Sequence, residues 1–177
     1  FRQAHNLLSA ATALDKLSPA APALNARLHI QQCQNASPKP NFHLNHAEGS
    51  VLAAIERDPA DFKHFERLAE IYILFAEIST DTEKTDWLYK AFGSISSAVD
   101  RYPGSARLHL QMADIAEKLG KNNTALDHYQ KTVDIEDAFR AQFKIMYPQW
   151  QLVSRLGKEK YQLAKQKVKD LSEQPTP

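Results

Sequence analysis

The chain has 177 residues, 43% of them hydrophobic, and its 22 basic and 21 acidic residues leave a formal charge of +1. That length supports one domain with a sizeable core, and the near-balance of charge argues against non-specific nucleic-acid binding. A single cysteine, Cys33, excludes an intrachain disulfide and a multi-cysteine zinc site, and no run of about 20 apolar residues is present to cross a membrane.

Residues 1–18 predict a helix whose buried stripe is Leu7, Leu8, Ala11 and Leu14, stopped by Pro19. The next helix, about 20–34, is less regular: Leu28 suits an inward register, but Asn25, His29 and Gln32 fall where apolar or small residues belong. Either this helix turns by one residue to bring Leu24 and Leu28 inward, or its unit packs atypically. Cys33 follows Ala26 and Ile30 at helical spacing and reads as a small buried side chain. Pro38 and Pro40 predict an extended loop before a helix over His43 to Arg57. From Asp61 to Ile78 runs the most apolar helix, with Phe65, Leu68, Ala69, Ile71, Tyr72, Leu74 and Phe75 on more than one face, so it is expected to be central. The polar stretch Ser79 to Asp86 predicts an exposed loop, with Asp86 capping a helix that starts at Trp87. Asn122 or Asn123 is expected to cap another before Thr124. Beyond Asp137, the residues Phe143, Met146, Tyr147 and Trp150 form an apolar set that Pro148 interrupts, so a helix stop near Tyr147 is expected. The last helix, about Lys158 to Ser172, turns Tyr161, Ala164, Val168 and Leu171 inward and sets Lys158, Lys160, Lys165, Lys167 and Lys169 on a solvated face. Residues 174–177 are expected to fray. Trp87 and Trp150 read as packing residues.

One register recurs along the chain. Ala91, Ile95 and Ala98 precede Pro103, just as Ala47, Val51 and Ala54 precede Pro59 and Leu7, Ala11 and Leu14 precede Pro19. It returns as Ala125, Tyr129 and Thr132, with Asp137 in the place of proline, and again as Ala164, Val168 and Leu171. Spacings of four and three keep these side chains on one helix face. A second pattern follows each proline: Phe65, Leu68, Ala69 and Tyr72 after Pro59, and His109, Met112, Ala113 and Ala116 after Pro103. An irregular helical bundle would carry apolar stripes too, but not this repetition. The pattern resembles the tetratricopeptide repeat family, built of helix–turn–helix units of about 34 residues. The resemblance implies an all-α, right-handed α-α superhelix of about four helix pairs after an N-terminal half-repeat. Its boundaries are a truncated unit at 1–18 and units at about 20–58, 60–103, 104–137 and 138–174, all in one domain. Since the sequence opens at Phe1 within the second helix of such a unit, a piece of a longer polypeptide is expected.

Candidate chemistry is sparse. His43 and His46 with Glu48, or His29 with Cys33, share helix faces, but neither set gains a third and fourth ligand, so no metal site is assigned. There is no phosphate-binding glycine loop, nucleophile elbow or H-E-x-x-H motif, so no catalytic residues and no cofactor are expected. What the resemblance implies instead is a concave groove, lined by the first helix of each unit, that holds a peptide or a partner's helix. Lys63, Glu66, Arg67 and Glu70 are expected to project there, followed by Arg107, Asp114 and Glu117. The acidic members of this set would repel a peptide carboxylate, which argues against the carboxylate-clamping branch of the family.

The segment Phe139 to Pro148, with Ser154-Arg155-Leu156-Gly157 and Tyr161 to Lys165, also resembles the soluble C-terminal extension of some bacterial O-antigen ligase or polymerase-like membrane proteins. That resemblance implies a non-catalytic appendage that positions or regulates a glycan-transferring membrane region, tethered at the inner membrane without inserting itself. The expected function is therefore a protein-binding scaffold, with the membrane-enzyme appendage as the alternative.

Overall fold

A computed structural model describes residues 2–35, 39–152 and 154–173. Among them are eight α-helices and no strand. The expectations for Phe1, Pro38 and residues 174–177 lie outside the described residues. The helices divide between two compact units, residues 1–101 and 102–177. Among the described residues no helix is long and apolar enough to cross a membrane.

The first unit holds α1 (Arg2–Leu14), α2 (Ala20–Gln34), α3 (Pro40–Arg57), α4 (Phe62–Ile78) and α5 (Asp81–Arg101), each packed on the next. Small residues set how closely they approach. Ala47 and Ala54 flank Val51 on α3, and Ala91 and Ala98 flank Ile95 on α5; all six are at most 1% exposed. Without bulk at those alanines the neighbouring helix settles onto the central β-branched side chain, and interior packing of that density leaves no room for an added methylene. As expected, α4 is central, with Leu68, Ala69, Ile71, Tyr72 and Phe75 buried. Trp87 lies flat on Phe75 at 4.4 Å between ring centroids, a packing role as read from the sequence.

Two arginines in one register close the turns of this unit. Arg57, three residues past Ala54, donates to the carbonyls of Thr12, Asp15 and Ser18 at 2.9–3.0 Å. Arg101, three past Ala98, donates to the Pro59 carbonyl at 2.6 Å and lies over the Phe65 ring. Helix C-termini leave carbonyls without partners, and each arginine supplies donors for the turn one hairpin back.

Several expectations are corrected here. Leu7 and Leu14 are 72% and 87% exposed and Ala11 is exposed as well, so of the predicted stripe of α1 only Leu8 is half-buried. The side that meets α2 carries His5, which contacts Asn25 and Gln32 through its two ring nitrogens at 2.7 and 3.0 Å. Polar pairing thus decides the rotation of α1. For α2 the atypical packing holds and the one-residue turn does not: Ala26, His29 and Ile30 are buried while Leu24 is half exposed. The polar stretch after Ser79 is exposed but is no loop, since α5 begins at Asp81 and contains Asp86. Thr80 and Glu83 have the spacing of a capping box, Thr80 Oγ1 donates to Glu83, and Asp81 and Glu83 favour the positive end of the helix dipole.

The second unit holds α6 (Ala106–Lys118), α7 (Asn122–Met146) and α8 (Lys158–Ser172). Ser105 caps α6 by accepting the Leu108 N–H. At the other end Gly120, at φ +70°, ends the helix in a Schellman turn: Lys121 N–H reaches the Ala116 carbonyl and Gly120 N–H that of Glu117, both at 2.9 Å. This turn leaves Lys121 as the first residue of the α7 boundary, so Asn122 and Asn123 are already helical rather than caps.

Ala125, Tyr129 and Thr132 of α7 are wholly buried, as the register required. No break follows at Asp137, which keeps the backbone N–H that proline lacks, and the helix expected after it is the continuation of α7. It stops at Met146, next to Tyr147, as Pro148 predicted. Of the apolar set there, Phe143 is half-buried while Met146 is 58% and Trp150 67% exposed, so Trp150 does not take the packing role expected of it. Instead Glu136, 1% exposed, gathers the segment beyond. Its carboxylate accepts from Arg140 Nε at 3.1 Å, Ser154 Oγ at 2.5 Å and the Leu156 N–H at 3.3 Å. Tyr161 and Ala164 bury α8 against α7, and the Tyr161 hydroxyl donates to Asp137.

Candidate functional site

In the first unit α1, α2 and α4 border a cleft of about 560 Å3. Positions 24, 27, 28, 31 and 34 of α2 share one helix face by their spacing. Ala26 is buried on the opposite side, and Ile30, buried at the flank of this face, joins the cleft lining. Leu8, Leu24 and Leu28 supply apolar lining, and Arg27, Gln31 and Gln34 a polar edge. Across from them stand Arg67 and Glu70 of α4, paired at 2.9 Å, with Gln34 Nε2 at 3.5 Å from Glu70. Arg27 is exposed and has no ion-pair partner among the described residues. Since the Arg67 charge is matched by Glu70, the cleft carries the surplus positive charge of Arg27.

Of the residues singled out in the sequence, Arg67 and Glu70 line this cleft. Lys63 and Glu66 occupy the same face of α4 nearer its start, Lys63 exposed and Glu66 half-buried. Arg107 is exposed on α6 of the second unit. Asp114 and Glu117 turn toward α7 and α8: both accept from the Tyr129 hydroxyl, at 2.6 and 2.8 Å, and Glu117 also takes Lys167 Nζ at 2.5 Å. Burial raises the Asp114 carboxyl above its ordinary range. Burial works upward on Glu117 too, but the hydrogen bonds from Lys167 and Tyr129 outweigh it and hold that group below its ordinary value. Burial first, then the two acceptors, push the Tyr129 hydroxyl far up, so it stays a donor. Leu24, Arg27, Leu28, Gln31 and Gln34 were not among the sequence candidates. The spacing of Ala26, Ile30 and Cys33, which defines the buried side of α2, was the signal that places them outward.

The histidines do not assemble as the sequence pairs suggested. Glu48 accepts from the Tyr72 hydroxyl at 2.9 Å rather than joining His43 and His46, and Cys33 is a half-buried thiol raised by burial and by Glu77. His5, His29 and His46 instead stack as a column, 3.9 and 5.2 Å between successive centroids, and His29 Nδ1 meets His43 Nδ1 at 3.2 Å. Burial, with the neighbouring imidazoles adding to it, lowers His29 to about 4 and depresses His43. The second unit has a similar pair, His109 and His128, with Nδ1 atoms 2.8 Å apart. His109 Nε2 donates to the Pro103 carbonyl, so its Nδ1 is the acceptor and His128 the donor. Burial lowers both, His128 to about 4. His29, His43, His109 and His128 are thus neutral hydrogen-bonding groups of the helix interfaces.

No protein-family model matches the sequence, and no curated protein matches it either. Solved structures do. TTC0263, a thermophilic TPR protein in Thermus thermophilus, is 18% identical, with 95% of this chain and 81% of that one covered at a TM-score of 0.59. MamA is 14% identical, with 96% and 85% covered at a TM-score of 0.58. The fold is that of tetratricopeptide-repeat proteins. In the units expected from the sequence, α2, α4 and α6 are the first helices and α3, α5 and α7 the second. The cleft is therefore bordered by two expected first helices, α2 and α4, and by α1, the expected second helix of the truncated unit. The O-antigen ligase-like resemblance of the last forty residues finds no support here.

Proposed function

We propose that the chain is a non-catalytic protein-interaction scaffold that holds an extended peptide or a partner's helix along its first helices. The observation that carries this reading is the cleft bordered by α1, α2 and α4, because it combines an apolar floor and a polar edge. Its volume falls in the range of about 300–1,000 Å3 common to ligand clefts. Leu8, Leu24 and Leu28 would take apolar anchors, while Arg27, Arg67 and Glu70 would fix orientation, a division of labour general to interfaces. The unmatched Arg27 favours a ligand with an acidic residue beside its apolar anchors. Lys63, Glu66 and Arg107 would extend the contact. Lys63 and Arg107 each stand four residues past a turn proline, Pro59 and Pro103, and so occupy equivalent places. Asp114 and Glu117 serve this reading least, since their carboxylates are held by Tyr129 and Lys167.

The test is selection from a displayed peptide library on the immobilised protein, followed by titration of selected peptides. Leu24→Glu and Arg27→Glu are expected to weaken binding at least about tenfold, or about 1.4 kcal/mol. Arg67→Glu should do the same, and Lys121→Glu, outside the cleft lining, should not. Selected peptides whose affinity ignores all three cleft substitutions would overturn the reading.

A further inference from the structure

The turn from α3 to α4 contains an atom that nothing in the fold accounts for. His64 is buried, its side chain only 10% exposed, and its Nε2 has no hydrogen-bond partner among the described residues. Buried polar atoms in folded proteins are almost always paired, so an orphaned imidazole nitrogen calls for a ligand. It points to Asp61, whose Oδ2 is 4.0 Å away, too far for a hydrogen bond. Asp58 completes a group: one donor atom from each of Asp58, Asp61 and His64 lies within 4.8 Å of the other two. Each carboxylate has one oxygen already committed to the turn. Asp58 Oδ1 accepts the Ala60 N–H at 3.2 Å and Asp61 Oδ1 the Lys63 N–H at 3.0 Å, which leaves the second oxygen of each available.

We propose that Asp58, Asp61 and His64 form a binding site for a divalent first-row transition cation, with Zn2+ as its natural probe. The donor set decides the class. An imidazole nitrogen with two carboxylate oxygens suits Zn2+ and its neighbours, whereas Mg2+ and Ca2+ take oxygen ligands. Two carboxylates also balance the charge of a divalent ion. Ligand bonds of about 2.0–2.2 Å in a tetrahedral site put donor atoms about 3.4 Å apart, so the present spacing closes with small side-chain rotations of the two half-buried aspartates. The backbone is already fixed, because Arg101 holds the Pro59 carbonyl between them. Three protein donors leave the fourth position to water or to a side chain from a partner. The bound ion would staple the end of α3 to the start of α4, and this site does not depend on the peptide-binding reading.

The experiment is calorimetric titration of chelator-treated protein with Zn2+, paired with thermal unfolding. One ion per chain and a Tm rise of about 5 °C at a hundredfold excess over Kd are expected. His64→Gln, Asp58→Asn and Asp61→Asn should each weaken binding about tenfold or more. Asp61→Asn keeps a competent helix cap, so the aspartate variants read the site even if His64→Gln fails to fold. Because the column of His5, His29 and His46 also presents imidazoles, His29→Gln is the control and should retain the ion. No saturable binding up to about 1 mM Zn2+, or binding lost in His29→Gln and kept in the three site variants, overturns the proposal.

Discussion

Replacing Glu136 by alanine tests whether a single carboxylate holds the segment between α7 and α8 in place. It is 1% exposed and accepts three hydrogen bonds, from Arg140, Ser154 and the Leu156 N–H. Bonds to a charged acceptor contribute about 1.5–3 kcal/mol each, but a simple sum overstates the loss. Removing the carboxylate also removes its own desolvation cost, and Arg140, 23% exposed, regains water. What remains is a stranded Leu156 N–H, an unpaired Ser154 hydroxyl and a cavity in α7. Together these put Glu136→Ala at about 3–4 kcal/mol. Glu136→Gln keeps one acceptor oxygen and sets an amide donor among donors, for about 2–3 kcal/mol. Glu70→Gln breaks an exposed pair and should cost under about 1 kcal/mol. Urea unfolding followed by far-UV circular dichroism measures all three, and hydrogen exchange at the Leu156 amide reports the local effect. A loss below about 1 kcal/mol for Glu136→Ala, with Leu156 still protected, refutes the argument.

Other outcomes follow from the same structure. His29 and His128 titrate near 4 in the fold, below their ordinary 6.5, so the unfolded chain binds protons first as pH drops. Stability from this source is complete above pH 6.5 and is lost as pH falls toward 4. The urea midpoint should decline across that window more steeply in the wild type than in a His29→Gln, His128→Gln double variant, and equal slopes would contradict the assignment. Leu14→Lys should change stability by no more than about 0.5 kcal/mol, since Leu14 is 87% exposed; a loss above about 1.5 kcal/mol would put that face in a core. Gly120→Ala places a side chain at φ +70° and should cost about 1–2 kcal/mol in chemical denaturation. No measurable loss would mean that the Schellman turn relaxes freely.

The second helices were the most legible part of the fold. Ala47, Val51 and Ala54 or Ala125, Tyr129 and Thr132 are enclosed by neighbours on both sides, so nearly every residue on that face must be small or apolar and the period shows. Pro59 and Pro103 then mark the ends. The reading weakened at α1 and α2, where polar side chains such as His5, Asn25 and Gln32 meet across the interface. On α2 the sequence left open a one-residue turn that brings Leu24 and Leu28 inward, beside atypical packing, although Ala26 and Ile30, with the half-buried Cys33, share a buried stripe. The histidine column was illegible for a different reason: His5, His29 and His46 come from three helices, and only the packing of α1 and α3 on α2 brings them together. The polar run after Ser79 was misread because hydrophilicity was weighed above the Thr80 and Glu83 capping signal.

Arg57 and Arg101 explain why this chain keeps its hairpins in order despite turns of different length. Each occupies the same place after a buried alanine, and each binds carbonyls just ahead of the helix its own helix pairs with. A guanidinium can reach several carbonyls at once, so it tolerates variation in loop length that side-chain packing cannot. The site inferred at Asp58, Asp61 and His64 lies in a turn held this way, with Arg101 on the Pro59 carbonyl between the two aspartates. Ligand donors are precise only where their backbone is held by something other than the ligand. The repeated arginine therefore does two jobs in the first unit: it closes the hairpin, and it keeps a polar turn rigid enough for three side chains to converge.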